Sequence, residues 1–375
     1  MRCEVDRDEF RQALASAVKV IPRRTTYPVL QNLKLEVLQS KLRISGTDLD
    51  TFLEVTVPAR DAKPGGVLVP GKKILEWVWH LDSPTLTMEH AGNVVSFQTQ
   101  GRRAAFVGLP PEEFPEEPHD SDVGISIHAR LATLQRMYRA VGFCASRDEA
   151  RAVMCGIRCE LTGNDPGSRT DVFYITHMVA TDGHRLALID LTGSLQGPSS
   201  SSHFIVLPKL FEVLPNSSGD ALVTLGREHI SLKWNRGTAV SRLIEGPYLE
   251  YERVIPRKHP NQLRVKRKVL IRALRRAAAF ANPVAKSVTF DLKNSGCQIL
   301  SETPELGLAQ EPLVASYAGA DIKTAFNALF LTDILSRVST ENVAFEFNTA
   351  LNAVLVRPDL ENSELLYLQM PIRMD

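Results

Sequence analysis

Internal repetition constrains this chain most, because a unit that recurs three times must find the same burial solution three times. Three segments place apolar residues at spacings of three and four, as amphipathic helices do: 8–21 (DEFRQALASAVKVI), 129–143 (ARLATLQRMYRAVGF) and 268–281 (KVLIRALRRAAAFA). Each is followed, later in its third of the chain, by a shorter amphipathic segment: 72–81 (KKILEWVWHL), 208–214 (PKLFEVL) and 327–338 (NALFLTDILSRV). Pro208 suits a helix start.

Between and after these helices the chain alternates apolar and polar residues with turn signals, the pattern of half-buried strands. TLTMEH, NVVSFQTQ and RRAAFVGLP in the first third match ALVTLG, HISLKWN and TAVSRLIEG in the second, and NVAFEFN, NAVLVRP and LLYLQMPIR in the last. Between the helices, GTDLDTFLEVTV (46–57) pairs with ATDGHRLALIDL (180–191), and SETPELGLAQEPL (301–313) follows more weakly. The expectation is an α+β protein of three similar domains, 1–122, 123–254 and 255–375, with boundaries in PPEEFPEEPHDSD and near IPRKHPNQ. The middle copy is longer by two polar stretches, 163–171 and 193–202, which read as surface insertions. Two helices cannot cover both faces of several strands, so the helices gather on one side and the sheets lie outside. Repeated units sharing a helical face build a curved or closed assembly, which two chains could complete.

Charge decides what that face can do. Lys and Arg total 44 and Asp and Glu 43, a formal net charge of +1, so nothing pulls the whole protein onto nucleic acid. The charges are nevertheless segregated. Lys268, Arg272, Arg275 and Arg276 form one stripe of the third-domain helix while Leu270, Leu274, Ala277 and Ala281 form another. Arg130, Arg136 and Arg139 mark the second copy, and Arg11 and Lys19, less densely, the first. Acidic residues collect in linkers, such as Glu112, Glu113, Glu116, Glu117, Asp120 and Asp122. Zinc-finger spacing, a helix-turn-helix signature and basic patches interleaved with aromatics are all missing, so DNA contact should go to duplex phosphates without regard to sequence.

Five scattered cysteines without a CxxC pair, a charged start (MRCEVDRDEF) and no apolar run of membrane-spanning length together give a cytoplasmic expectation. Thr181, Asp182, Gly183 and His184 could suggest acid–base or metal chemistry, but Asp-Gly between two strands is a turn signal. The histidines never adopt HExxH spacing, and neither a glycine-rich phosphate loop nor a GxSxG elbow occurs. The expectation is no enzyme, no metal and no cofactor.

RTTYPVLQNLKLEV (24–37), GTDLD (46–50), VPGKKILEWV (69–78), ATDGHRLAL (180–188), SRLIEGPYLEYERVIP (241–256) and LYLQMPIRM (366–374) resemble the bacterial DNA polymerase III sliding clamp family, in family order over nearly the whole chain. That resemblance implies the DNA-clamp fold: a ring-shaped head-to-tail homodimer of three-domain subunits, six similar domains around duplex DNA. It implies a clamp that tethers the replicative polymerase, is opened by an ATP-driven clamp loader, and holds short partner motifs rich in Gln, Leu and Phe, those of other replication and repair proteins included.

By the same resemblance, the peptide pocket would be built from Met154, Thr181, Gly183, His184, Arg185, Leu186, Leu249, Arg253, Val254, Leu368, Met370, Pro371, Ile372 and Arg373. Methionine and leucine make a deformable apolar slot, and His184 and the arginines would supply its polar edges. Arg24, Lys72, Lys73, Arg151 and Lys209 become candidates for DNA contact, joined from periodicity by Arg272, Arg275 and Arg276. Phe106 and Phe280 fall where apolar dimer-interface residues are expected. The chain departs from the family pattern in its neutral charge, in Pro208-Lys209-Leu210, in Leu249 where proline is usual, and in the extra terminal Asp375. The competing reading is a clamp-like peptide-binding module, or paralogue, that does not encircle DNA.

Overall fold

A computed structural model describes residues 1–118, 124–163, 173–192 and 202–374. Both polar stretches of the middle copy lie almost wholly outside the described residues, as do Asp120, Asp122 and Asp375.

Six α-helices occur among the described residues: α1 (Arg7–Ala17), α2 (Gly71–Trp79), α3 (Leu131–Val141), α4 (Lys209–Glu212), α5 (Arg267–Ala278) and α6 (Ala328–Arg337). They are the six segments read from periodicity, with their ends trimmed and one cut to a single turn. Segment 208–214 yields only the single turn of α4, because Pro215 disfavours helical backbone at Leu214. α1 is capped by the Asp6 carboxylate, which accepts from the backbone N–H of Asp8 and Glu9 at 2.9 Å each. Asn327 caps α6 in the same way, through Leu329 and Phe330.

Immediately before α1, α3 and α5 lie strands that periodicity did not reveal: Arg2–Asp6, Ile125–Arg130 and Asn261–Lys266. Their signal was a short alternation. Cys3 and Val5, and likewise Leu263 and Val265, point into the core while their neighbours carry charge.

The chain packs as two compact units, neither of them contiguous: residues 1–135, 163–174 and 206–244 form one, and 136–162, 175–205 and 245–375 the other. In the first unit, Thr51–Lys63 is the central strand. It pairs antiparallel with Lys41–Thr47, with Arg2–Asp6, and with Gly237–Arg242. Beyond Lys41–Thr47 the sheet continues through Asn32–Leu38 to Gly65–Pro70, and two meanders extend it, one through Thr85–Ala91, Val94–Thr99 and Arg102–Val107 and one through His229–Trp234, Asp220–Leu225 and Ile125–Arg130. Phe10 and Leu14 of α1 are fully buried, with the Phe10 ring stacked 6.1 Å from that of Phe97.

In the second unit Arg185–Asp190, Leu365–Gln369, Val354–Pro358, Asn342–Phe347, Asn261–Lys266 and Ala315–Ala318 pair in that order, all antiparallel. A separate four-stranded sheet runs Gly307–Leu313, Gly296–Thr303, Ser287–Lys293, Ile322–Asn327. Its Phe290 and Phe326 pack against Phe345 and Phe347 of the other sheet, an aromatic core between the two. α5 buries Leu270, Ala273, Leu274 and Ala277, and each leucine contributes about 1.5–3 kcal/mol relative to exposure. The opposite stripe, Lys268, Arg272, Arg275 and Arg276, is exposed. Burial holds the Cys3 thiol up at about 12 and raises Cys144 and Cys159 as well, so these three behave as small core hydrophobes.

Candidate partner-binding groove and basic surface

All fourteen residues expected at the peptide pocket belong to the second unit. Their centre is the turn 181–185. The Thr181 hydroxyl donates to the Arg185 carbonyl oxygen at 2.7 Å and accepts from Gly183 N–H at 3.1 Å. One oxygen of the Asp182 carboxylate accepts from the N–H of His184 and of Arg185, both at 2.9 Å. Gly183 has φ +86°, which glycine adopts without steric cost. A five-residue stretch thus satisfies its own polar groups and holds the His184 side chain out in solvent.

The C-terminal strand locks onto this turn. Leu368 stands opposite Leu186 in the antiparallel ladder, and Met370 N–H donates to the His184 carbonyl oxygen at 2.9 Å. Two residues on, Ile372 N–H donates to Ala325 at 2.7 Å. The tail is therefore pinned at both ends of a short apolar stretch, with Met370 exposed and Pro371 and Ile372 half-buried. Elsewhere in the same unit, Val153, Met154, Pro247, Tyr248, Leu249 and Glu250 line an open groove of about 390 Å³, which brings together Met154 and Leu249 of the expected set.

The expected set divides by burial. Met154, His184, Leu249, Arg253, Val254, Met370, Pro371, Ile372 and Arg373 reach the surface, whereas Thr181, Leu186 and Leu368 are the buried frame behind them. Arg185 differs from the other two expected arginines, Arg253 and Arg373, which are exposed. Its side chain is 11% exposed, pairs with Asp182 at 3.0 Å and Asp333 at 2.8 Å, and donates to the Phe143 carbonyl oxygen. Its guanidinium also lies over the rings of Phe143 and Phe330. These aromatic neighbours lie far away in the sequence, so the motif alone does not show them.

The eight residues expected to contact DNA do not form one class either. Arg24, Lys72, Arg272 and Arg275 are exposed, and among the described residues Lys72 and Arg272 donate to backbone carbonyls, Pro22 and Lys268. The other four sit on carboxylates. Lys73 pairs with Glu76 at 3.1 Å, Arg151 with Asp148 at 2.9 Å, Lys209 with Asp48 at 2.5 Å, and Arg276 with Glu311 through two contacts of 2.9 and 2.5 Å. The Arg276 guanidinium accordingly holds the Glu311 carboxyl below its usual range. Arg151 additionally donates to the Asp182 carbonyl oxygen at 3.1 Å, so it braces the 181–185 turn. Phe106 is half-buried with its ring edge-on to Phe97 at 5.9 Å, and Phe280 is half-buried just past the end of α5.

Repeated α+β units, a basic stripe on a helix whose other side is core, an apolar groove at Met154 and Leu249, and a C-terminal tail pinned beside the 181–185 turn define a clamp-type scaffold. Comparison with known proteins agrees. Residues 1–118, 130–250 and 252–373 match, respectively, the N-terminal, central and C-terminal domains of the DNA polymerase III beta subunit. The chain is 28% identical to the beta sliding clamp of Pseudomonas aeruginosa and 25% to that of Escherichia coli, over the full length of each. The solved DNA polymerase III beta subunit from Thermotoga maritima superposes with a TM-score of 0.87 at 25% identity, and a sliding clamp from Pseudomonas aeruginosa with 0.85 at 27%, both covering the whole of each chain. The chain belongs to the DNA polymerase III beta subunit family, the sliding clamps of DNA replication. No described helix is long and apolar enough to cross a membrane.

Proposed function

We propose that this clamp closes head to tail with a second copy, encircles duplex DNA, and tethers the replicative polymerase without catalysis of its own. Its three domains would be 1–122, 123–254 and 255–375, joined between copies through the surfaces carrying Phe106 and Phe280. An ATP-driven loader would open it in the cytoplasm, and polymerase, loader and repair factors would compete for the groove between Met154, Leu249 and the tail.

The observation that carries the DNA reading is α5, whose Leu270, Leu274 and Ala277 are core while Arg272 and Arg275 on the other side are exposed. Such cations neutralise phosphates without reading bases. The ion pairs of Lys73, Arg151, Lys209 and Arg276 favour weak, mobile contact over tight gripping, which suits sliding. The test is retention on nicked circular DNA after loading. Charge reversal of Arg272 and Arg275 to Glu should lower retention by about tenfold or more at low salt while the fold survives. Retention that ignores both substitutions, or that persists after the circle is linearised, would contradict encirclement.

A further inference from the structure

The segment carrying Leu249, Arg253 and Val254 is an irregular loop with a short 3-10 turn, Tyr251–Arg253, and a loop needs an anchor to present a groove wall in one geometry. That anchor is Tyr251. Its side chain is 1% exposed although Leu249 and Val254 on either side are partly exposed and Arg253 is 80% exposed. The Tyr251 hydroxyl donates to the Glu160 carboxylate at 3.1 Å, and the Arg158 guanidinium pairs with the same Glu160 oxygen at 2.8 Å while lying 5.4 Å from the centre of the Tyr251 ring. Glu160 is itself 1% exposed, and its second oxygen has no hydrogen-bond partner among the described residues.

A buried carboxylate with one bare oxygen is a poor choice for stability, since apolar residues of similar volume commonly do as well or better. What such a cluster supplies is a single allowed geometry: the hydroxyl must reach that oxygen and the ring must lie by the guanidinium. The backbone transmits the constraint. Tyr251 N–H donates to Leu249 at 2.8 Å and Val254 N–H to Tyr251 at 3.1 Å, so fixing the Tyr251 ring fixes both apolar residues. We infer that Arg158, Glu160 and Tyr251 are positioning residues of the partner site, a buried polar pin that holds one groove wall ready for an apolar peptide. This rests on the proposed peptide groove and adds what keeps it preformed.

The test measures affinity for a fluorescein-labelled peptide built from Gln, Leu and Phe, by anisotropy, for Tyr251→Phe, Glu160→Gln, their double variant and Leu249→Asp. The pin predicts that Tyr251→Phe and Glu160→Gln each weaken binding about three- to tenfold. The double variant should lose no more than the worse single one, because both break one contact, with the particle mass unchanged and each variant still folded at the assay temperature although its melting temperature falls. If Leu249→Asp weakens binding while Tyr251→Phe and Glu160→Gln leave it intact, the pin is wrong and the groove stands. If all variants bind as the parent does, the groove reading fails and the pin with it. Binding lost only in step with unfolding, in both single variants, would reduce the cluster to ordinary core and also overturn the inference.

Discussion

Two turns, 47–51 in the first unit and 181–185 in the second, share a hydrogen-bond plan yet border different surfaces. Thr47 and Thr181 each donate a hydroxyl to the carbonyl four residues on and accept an N–H from two residues on. Asp48 and Asp182 each accept from the N–H three residues later. Leu49 stands at φ +80° where Gly183 stands at +86°. Even the neighbouring strand is equivalent: Arg242 N–H donates to Asp50 as Met370 N–H donates to His184.

The difference lies in the side chains set on this common frame. At the first turn Arg242 pairs with Asp50 at 2.9 Å and Asp48 takes Lys209, so the surface is closed by ions. At the second, Asp182 turns back to its own Arg185, and Met370, Pro371 and Ile372 leave an apolar ledge beside the turn. The frame is a repeated structural device, and the side chains set on it differ: Arg242 at the end of the adjacent strand in one, Met370 just past it in the other.

The largest expected effect comes from removing the ledge. Deleting residues 370–375 should weaken capture of the labelled peptide by about a hundredfold, since several buried apolar contacts go together, with particle mass unchanged. Arg242→Ala, at the equivalent place in the first unit, should leave peptide affinity as it was. Equal losses from both changes would make the two turns functionally alike and break the comparison.

A smaller effect should follow from exchanging the residues at the left-handed position. A side chain at Gly183 would sit 3.2 Å from the Arg151 guanidinium in a backbone conformation unfavourable to L-residues. Gly183→Leu should therefore cost about 1–2 kcal/mol in urea unfolding and weaken the peptide as well. Leu49, 55% exposed, already bears that strain, so Leu49→Gly should range from neutral to about 1 kcal/mol stabilising, with no change in peptide affinity. Destabilisation by Leu49→Gly would show that the exposed leucine is held by contacts the comparison ignores.

Much of this was legible in sequence, and the reason is distance along the chain. Helix faces repeat within a turn or two, so the buried and exposed stripes of α5 follow from spacing alone. The 181–185 turn closes on residues inside one short motif. Ion pairs obey no such rule: Lys209 meets Asp48 across 161 positions and Arg276 meets Glu311 across 35, so charge pattern named the cations without saying which were occupied. The partners of Arg185 were hidden for the same reason, Phe143 and Asp333 lying on distant elements. The Arg158–Glu160–Tyr251 cluster was hidden too, because a buried carboxylate looks like any strand glutamate until the fold covers it.

Ring closure is the claim on which the proposed function depends, and absolute mass by light scattering across a dilution series tests it most directly. A mass near twice 41.6 kDa that survives dilution is the predicted result. A stable monomer at every concentration would contradict it and leave a peptide-binding module that cannot surround DNA unaided.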